Sequence, residues 1–191
     1  MDDRMKRALA RWPDVPALYG WLSLDRRGRW CIQGELITRP QIIDTIGRNY
    51  LADERGAWYF QNGPQRGYVT LAYAPLVLRV ADDGTLHTHT DRPVRQPTAA
   101  FIDENGALLL RTEHGPALLD EHEADWLLAH LAPEHGTLDE AALEDALTRP
   151  DGASSGLTLR LDDSALPVER LDRAAAPARL GFVRDPRPED A

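Results

Sequence analysis

The chain of 191 residues holds a single cysteine, Cys31. An intramolecular disulfide and a cysteine-rich zinc site are therefore excluded. Lysine is as scarce: of 22 basic residues only Lys6 is not an arginine. Arginine suits bidentate anion recognition better than lysine does, although base composition alone accounts for such a bias. Positive charge is not in excess. The 31 acidic residues leave a net charge of −9, and such a surface repels phosphate backbones. No apolar run approaches the roughly 18 residues of a membrane span. Apolar runs such as Leu76-Val77-Leu78 and Leu108-Leu109-Leu110 are strand-sized. The opening Met1-Asp2-Asp3 puts acid where a signal peptide would be basic. The expectation is a cytoplasmic protein with neither a membrane nor a nucleic-acid partner.

Familiar catalytic signatures are missing too. None of Ser23, Ser154, Ser155 and Ser164 sits in Gly-x-Ser-x-Gly, so no nucleophile elbow is expected. There is no Gly-x-x-x-x-Gly-Lys and no Gly-x-Gly-x-x-Gly, hence no phosphate loop. Cys31 beside Trp30 reads as a packed strand residue. The sequence nominates no catalytic residue, no metal site and no cofactor.

A repeated turn is present instead. Asp25-Arg-Arg-Gly28, Asp53-Glu-Arg-Gly56 and Asp103-Glu-Asn-Gly106 share one spacing, and Asp82-Asp83-Gly84 is a shortened relative. Aspartate opens such a turn by accepting from N–H groups ahead of it, and glycine supplies the left-handed exit. Strand-like residues flank each turn, so each predicts a β-hairpin. Ile42, Ile43, Ile46 and Tyr50 share a helical face, with Thr38 as expected cap and Pro40 in the first turn. Asp120-x-x-Glu123 and Thr137-x-x-Glu140 predict two further helices through capping boxes. Pro75 should end or bend a strand.

These signals predict an α+β protein: antiparallel hairpins with a few covering helices, in two similar subdomains in tandem. The first is expected over residues 1–90, a stiff polar linker over Asp91–Pro97, the second over 98–183 and a frayed tail over 184–191. Laying Asp25 over Asp103 aligns hairpin with hairpin at an offset of 78 residues, and the helix signals then nearly coincide.

One series of residues carries a resemblance. Gly28-Arg-Trp30, Gly34-x-x-Ile37-Thr-Arg39-Pro40, Gly56-Ala-Trp58, Asn62-Gly63-Pro64-Gln65 and Ala74-Pro75 resemble uncharacterised proteobacterial families of domain-of-unknown-function type. The likeness covers about residues 19–125. It implies a mixed fold of two similar subdomains and a role in binding an intracellular ligand, with no catalytic residues.

Two clusters deserve weighing. His87-Thr88-His89 puts two imidazoles on one strand face, with Glu113 and His114 as potential partners, but no ligand set is complete. A metal-dependent enzyme or small hydrolase using His87 and His89 is thus the alternative function. The favoured one is a small-ligand-sensing or protein-interaction module, suited to signalling. Its ligand site is expected from Arg39, Tyr59, Gln61, Asn62, Gln65 and Arg79. Amides at one hairpin tip and arginines in apolar segments suit a small anionic or polar metabolite. The competing reading is that these arginines pair with Asp44 or Glu35 and only hold the fold.

Overall fold

The computed structural model describes residues 16–162 and 164–188. The first unit runs β1 (Ala17–Leu24), β2 (Trp30–Ile32), β3 (Glu35–Leu36), α1 (Pro40–Arg48), β4 (Tyr50–Ala52), β5 (Trp58–Asn62) and β6 (Gln65–Leu71). A link hairpin follows, β7 (Leu76–Val80) and β8 (Leu86–Thr88). The second unit runs β9 (Ala99–Ile102), β10 (Leu108–Thr112), β11 (Gly115–Leu119), a 3-10 turn (Glu121–Glu123) and α2 (Ala124–His130). It continues with β12 (Leu131–Pro133), α3 (Glu140–Thr148), β13 (Ser154–Leu161), β14 (Ser164–Arg170) and α4 (Ala176–Leu180).

The two units share one topology. The first sheet has the order β3-β2-β1-β6-β5-β4, and the second contains β11-β10-β9-β14-β13-β12. Each is an antiparallel meander, a helical segment, and a second meander. Each closes with a parallel pair, β1 with β6 and β9 with β14. Even the exit bonds correspond. Ala72 N–H donates to Leu24 O at 2.9 Å, and Leu171 N–H donates to Ile102 O at 3.0 Å. Leu24 and Ile102 are related by the 78-residue offset. The fold is α+β, with two similar subdomains in tandem.

The change of sheet falls at residues 72–75 rather than at Asp91–Pro97. β7 pairs parallel with β11 and carries β8 with it, giving the second sheet eight strands. Segment 91–97 runs along the outer strand β8: Val94 N–H donates to Leu86 O at 2.8 Å. Of the tail, Arg184 is held at both ends. Its carbonyl accepts from Leu71 N–H and its guanidinium donates to Ala72 O. Residues 189–191 lie outside the described residues.

Helix starts differ from expectation in their caps. α1 begins after Arg39 with no side-chain cap bond, so Thr38 does not cap it; Pro40 occupies the first turn as expected. The 3-10 turn takes Asp120 as cap, without a reciprocal bond from Glu123. α3 is capped by Asp139, which accepts from Ala142 N–H, in place of Thr137. Aspartate two residues nearer the apolar stripe wins because its oxygen reaches the third N–H of the helix.

One hydrophobic core joins both sheets. Leu22, Leu24, Trp30 and Tyr50 of the first contribute to the same cluster as Leu76, Leu78, Leu109 and Leu110 of the second. Each such leucine, fully removed from water, contributes about 2–3 kcal/mol. Trp30 meets Tyr50 edge-on at 4.8 Å, and the Tyr50 hydroxyl donates to Pro75 O in the sheet-changing segment. No helix among the described residues is long and apolar enough to cross a membrane.

Candidate functional site

The repeated turns share one bonding scheme. Asp25 Oδ1 accepts from Arg27 and Arg29 N–H at 2.9 and 2.8 Å. Asp53 Oδ1 does the same for Arg55 and Ala57, and Asp103 Oδ1 for Asn105 and Ala107. The second carboxylate oxygen is left for a neighbour. Asp53 Oδ2 accepts from the Tyr68 hydroxyl and Asp103 Oδ2 from the Tyr73 hydroxyl.

The Asp25–Gly28 turn projects from the first sheet onto the second. Gly28 packs so closely that a Cβ there would lie 2.6 Å from His89 Cβ. The Arg26 guanidinium lies over the Tyr73 ring at 5.0 Å. Arg27 Nη2 contacts His122 Nε2 at 3.0 Å, and Arg27 O accepts from Arg79 Nη2 at 2.7 Å. His122 Nδ1 is 2.8 Å from Asp120 Oδ1, and Arg79 Nε is 3.7 Å from Asp120 Oδ2.

The protonation pattern of this cluster follows from its donors. A guanidinium only donates, so Nε2 of His122 accepts and Nδ1 carries the ring proton toward Asp120. Asp120 is buried, which alone would raise its carboxyl. Hydrogen bonds from the His122 side chain and backbone, with the charge of Arg79, hold it below the ordinary value. The result is one carboxylate serving Arg79 and an imidazole, with Arg27 on the imidazole's far nitrogen. Arg79 and His122 side chains are 51% and 55% exposed, so the donors on the outer side are open to a solute. Beside them a cleft of about 210 Å³ is lined by Arg26, Asn105, Leu119, Asp120, Glu121 and Leu127, among others.

Of the six residues expected from sequence, Arg79 alone joins this cluster. It pairs with Asp120, not with Asp44 or Glu35. Tyr59 faces the outer side of the first sheet, in a separate cleft of about 510 Å³ with Tyr68, Asp53 and Arg66. Arg66 lies over the Tyr59 ring at 4.7 Å, and Tyr19 stacks on Tyr68 at 4.6 Å. Gln61 turns its amide inward, donating to Gly63 O and Gln65 O, so that hairpin tip bonds to itself. Asn62 lines a third cleft, against α1 with Gln41, Ile42 and Phe60. Strand alternation explains the split, since Asn62 and Tyr59 face opposite ways on β5. Arg39 is exposed at the start of α1, where its carbonyl accepts from Ile42 and Ile43 N–H.

The histidine pair also separates in role. His89 Nδ1 accepts the Val77 N–H at 3.2 Å, and its Nε2 is shut off from water without a partner. Its ring packs 5.3 Å from Trp30 and 6.0 Å from Tyr50. His87 pairs across from Arg79 on the β7–β8 hairpin. Glu113 is engaged elsewhere, accepting from Arg95 and Gln96 N–H. No group of three or more metal-ligating side chains occurs among the described residues. The Cys31 thiol is pushed up by burial and by Asp25, away from the thiolate form a nucleophile needs.

Arg27, Asp120 and His122 were not nominated by sequence. Their one local signal is Asp120-x-His122 after a buried strand, a spacing that also serves an ordinary turn. The turn aspartates and Arg79 were visible, but not the contact between units that joins them.

The fold is similar to a DUF1285 family protein from Silicibacter pomeroyi DSS-3. The TM-score is 0.54 at 18% identity, covering 86% of this chain and 93% of that one. That likeness concerns the fold alone. A DUF1285 family protein from Shewanella baltica OS155 aligns over 57% of this chain and 91% of its own, at 12% identity and a TM-score of 0.41. No curated protein matches the sequence. A family model named DUF2944, described as a protein of unknown function (DUF2946), matches residues 1–187.

Proposed function

The chain belongs to that DUF2944 family, and from its geometry we propose that it is a small-ligand-sensing module that takes an oxyanion where its two sheets meet. The observation that carries this reading is the contact between Arg27 of one unit and His122 of the other. It spends a guanidinium on an imidazole lone pair, a weak partner for a charge that prefers two oxygens. A phosphate or carboxylate entering here meets Arg27 and Arg79 together. The Arg79 guanidinium already donates to the backbone carbonyl of Arg27.

The electrostatics favour the same ligand. Asp120 supplies one negative charge against two arginines, within a protein of net charge −9. A local reversal of sign concentrates small anions where the rest of the surface repels them. Asp120 fixes His122 through Nδ1, so the imidazole is oriented before any ligand arrives. Occupancy would pull on the Asp25–Gly28 turn, which is seated against the second sheet at His89. That is a route from ligand to the relation between the two units, as sensing requires.

Isothermal titration with inorganic phosphate at low salt tests the reading. Half-exposed donors set the expected Kd at about 0.1–1 mM. Arg27→Gln and Arg79→Lys should each weaken binding by about tenfold, since a point charge cannot reproduce a bidentate fork. Their unfolding midpoints should stay near that of the parent. Equal affinity in parent and Arg27→Gln would overturn the proposal.

A further inference from the structure

Segment Asp91–Pro97 has a role that its composition does not suggest. Its backbone is clamped on both sides. The Glu113 carboxylate accepts from Arg95 N–H at 2.6 Å and from Gln96 N–H at 3.3 Å. His114 Nε2 lies 2.9 Å from Pro93 O, and Thr98 N–H donates to Arg111 O. The Arg95 and Gln96 N–H groups of the segment are thereby used up, and the segment forms a wall. Opposite it stand α2 and the β13–β14 hairpin. Between them lies a cleft of about 300 Å³, lined by Leu86, Val94, Arg95, Trp126, His130 and Asp162 among others.

The far wall is built, too. Trp126 and His130 stack one helical turn apart, with centroids 4.1 Å apart and planes 20° apart. His130 Nδ1 is 2.7 Å from Trp126 O. A carbonyl only accepts, so Nδ1 is the donor and the ring is locked against the indole. Leu86 and Val94 make an apolar floor. Arg95 is exposed, and among the described residues no side-chain hydrogen bond or ion pair engages its guanidinium. Asp162 lines the same cleft and supplies a carboxylate.

We propose that this cleft binds a zwitterionic amino acid with an aromatic side chain. The carboxylate would meet Arg95, the ammonium would meet Asp162, and the ring would lie on the Trp126–His130 wall over Leu86 and Val94. A cation and an anion lining one aromatic slot select for a zwitterion. A simple anion would be repelled by Asp162, and a simple amine by Arg95. The volume suits a ligand of that size, at the small end of ordinary binding pockets. This site is separate from the oxyanion cluster at the sheet junction and does not depend on it.

The test is calorimetric and NMR titration of the full chain with L-phenylalanine, up to about 10 mM, the range for a small ligand held by a few contacts. Two analogues serve as controls: 3-phenylpropionate, without the ammonium, and phenethylamine, without the carboxylate. The expected result is saturable binding of phenylalanine, with each analogue weaker by about tenfold for its lost charged contact. Arg95→Gln and Asp162→Asn should each give the same loss with unchanged unfolding midpoints, because both side chains are exposed. Because the oxyanion cluster also admits carboxylates, the titrations are repeated in Arg27→Gln, where saturable binding of phenylalanine at this cleft should persist. No binding by the parent would overturn the proposal. So would binding that Arg95→Gln leaves intact, or equal binding of all three compounds.

Discussion

Arg27 Nη2 donates to His122 Nε2 at 3.0 Å, joining residues 95 positions apart in turns of the two different units. That bond fixes the imidazole tautomer, and through Nδ1 it is coupled to the buried carboxylate of Asp120. Around it the whole Asp25–Gly28 turn is docked: Arg26 on Tyr73, Arg27 carbonyl on Arg79, and Gly28 on His89. A turn with so many contacts to the other unit is a mechanical link between the two.

The tightness of that link is measurable. Gly28 and Gly34 both have left-handed φ, 72° and 81°, so an alanine at either meets similar backbone strain. A Cβ at Gly34 would have nothing within 4 Å, whereas one at Gly28 would overlap His89 and press on Val77. Gly34→Ala should cost about 1 kcal/mol, the strain alone. Gly28→Ala should cost about 3 kcal/mol or more, adding the displaced contact between sheets. Denaturant unfolding of both variants checks this; equal losses would mean the turn can shift freely.

The Asp–Tyr pairs give a second comparison. Asp103 is wholly buried, and its Oδ2 accepts from Tyr73 at 2.8 Å. Tyr73→Phe leaves that oxygen without its donor and should cost about 1–3 kcal/mol. Burial, then the Asp103 bond and charge, push the Tyr73 hydroxyl well up, so it stays a donor throughout the accessible range. Asp53 is 12% exposed and its bond to Tyr68 is longer, 3.2 Å. Tyr68→Phe should therefore cost about 1 kcal/mol or less. The ranking of the two unfolding midpoints is the readout, and a reversed ranking would contradict this view of the turns.

Much of the fold was legible because its signals are local. The Asp-x-x-Gly turns bind N–H groups two and four residues ahead, so the pattern that shows them is the pattern that makes them. Their recurrence at Asp25 and Asp103 exposed the tandem arrangement, and the matched strand orders follow. The partner of a strand is not local. Leu76-Val77-Leu78 reads as buried on both faces, but nothing in it says that β7 joins β11 rather than the first sheet. Asp91–Pro97 has the composition of a linker, and only the Glu113 clamp makes it a wall. The site suffered most. Tyr59, Asn62 and Arg79 are close in sequence terms, yet alternation on β5 and the change of sheet send them three ways.

Acid should loosen the junction through His89. Burial first, then Arg79 and Arg92 against the opposing pull of Asp25, lower its imidazole from 6.5 to about 3. The unfolded chain takes up this proton below 6.5 while the folded chain refuses it until about 3. Folding is therefore favoured by the neutral ring above that window. Stability from this group falls on acidification by up to about 1.4 kcal/mol per pH unit. His89→Gln cannot titrate, so its stability between pH 4 and 6 should change less steeply than the parent's. Parallel pH profiles for parent and variant would show that His89 is not the source.

The oxyanion reading is tested most directly by nitrogen NMR of the His122 imidazole during a phosphate titration. With no added anion, Nδ1 should carry the proton and Nε2 should show the signature of an acceptor bonded to Arg27. As phosphate draws Arg27 away, the Nε2 resonance should move and saturate with the calorimetric Kd, and Arg27→Gln should abolish the saturable change. A His122 spectrum unchanged by phosphate at about 20 mM, well above the expected Kd, would contradict the account.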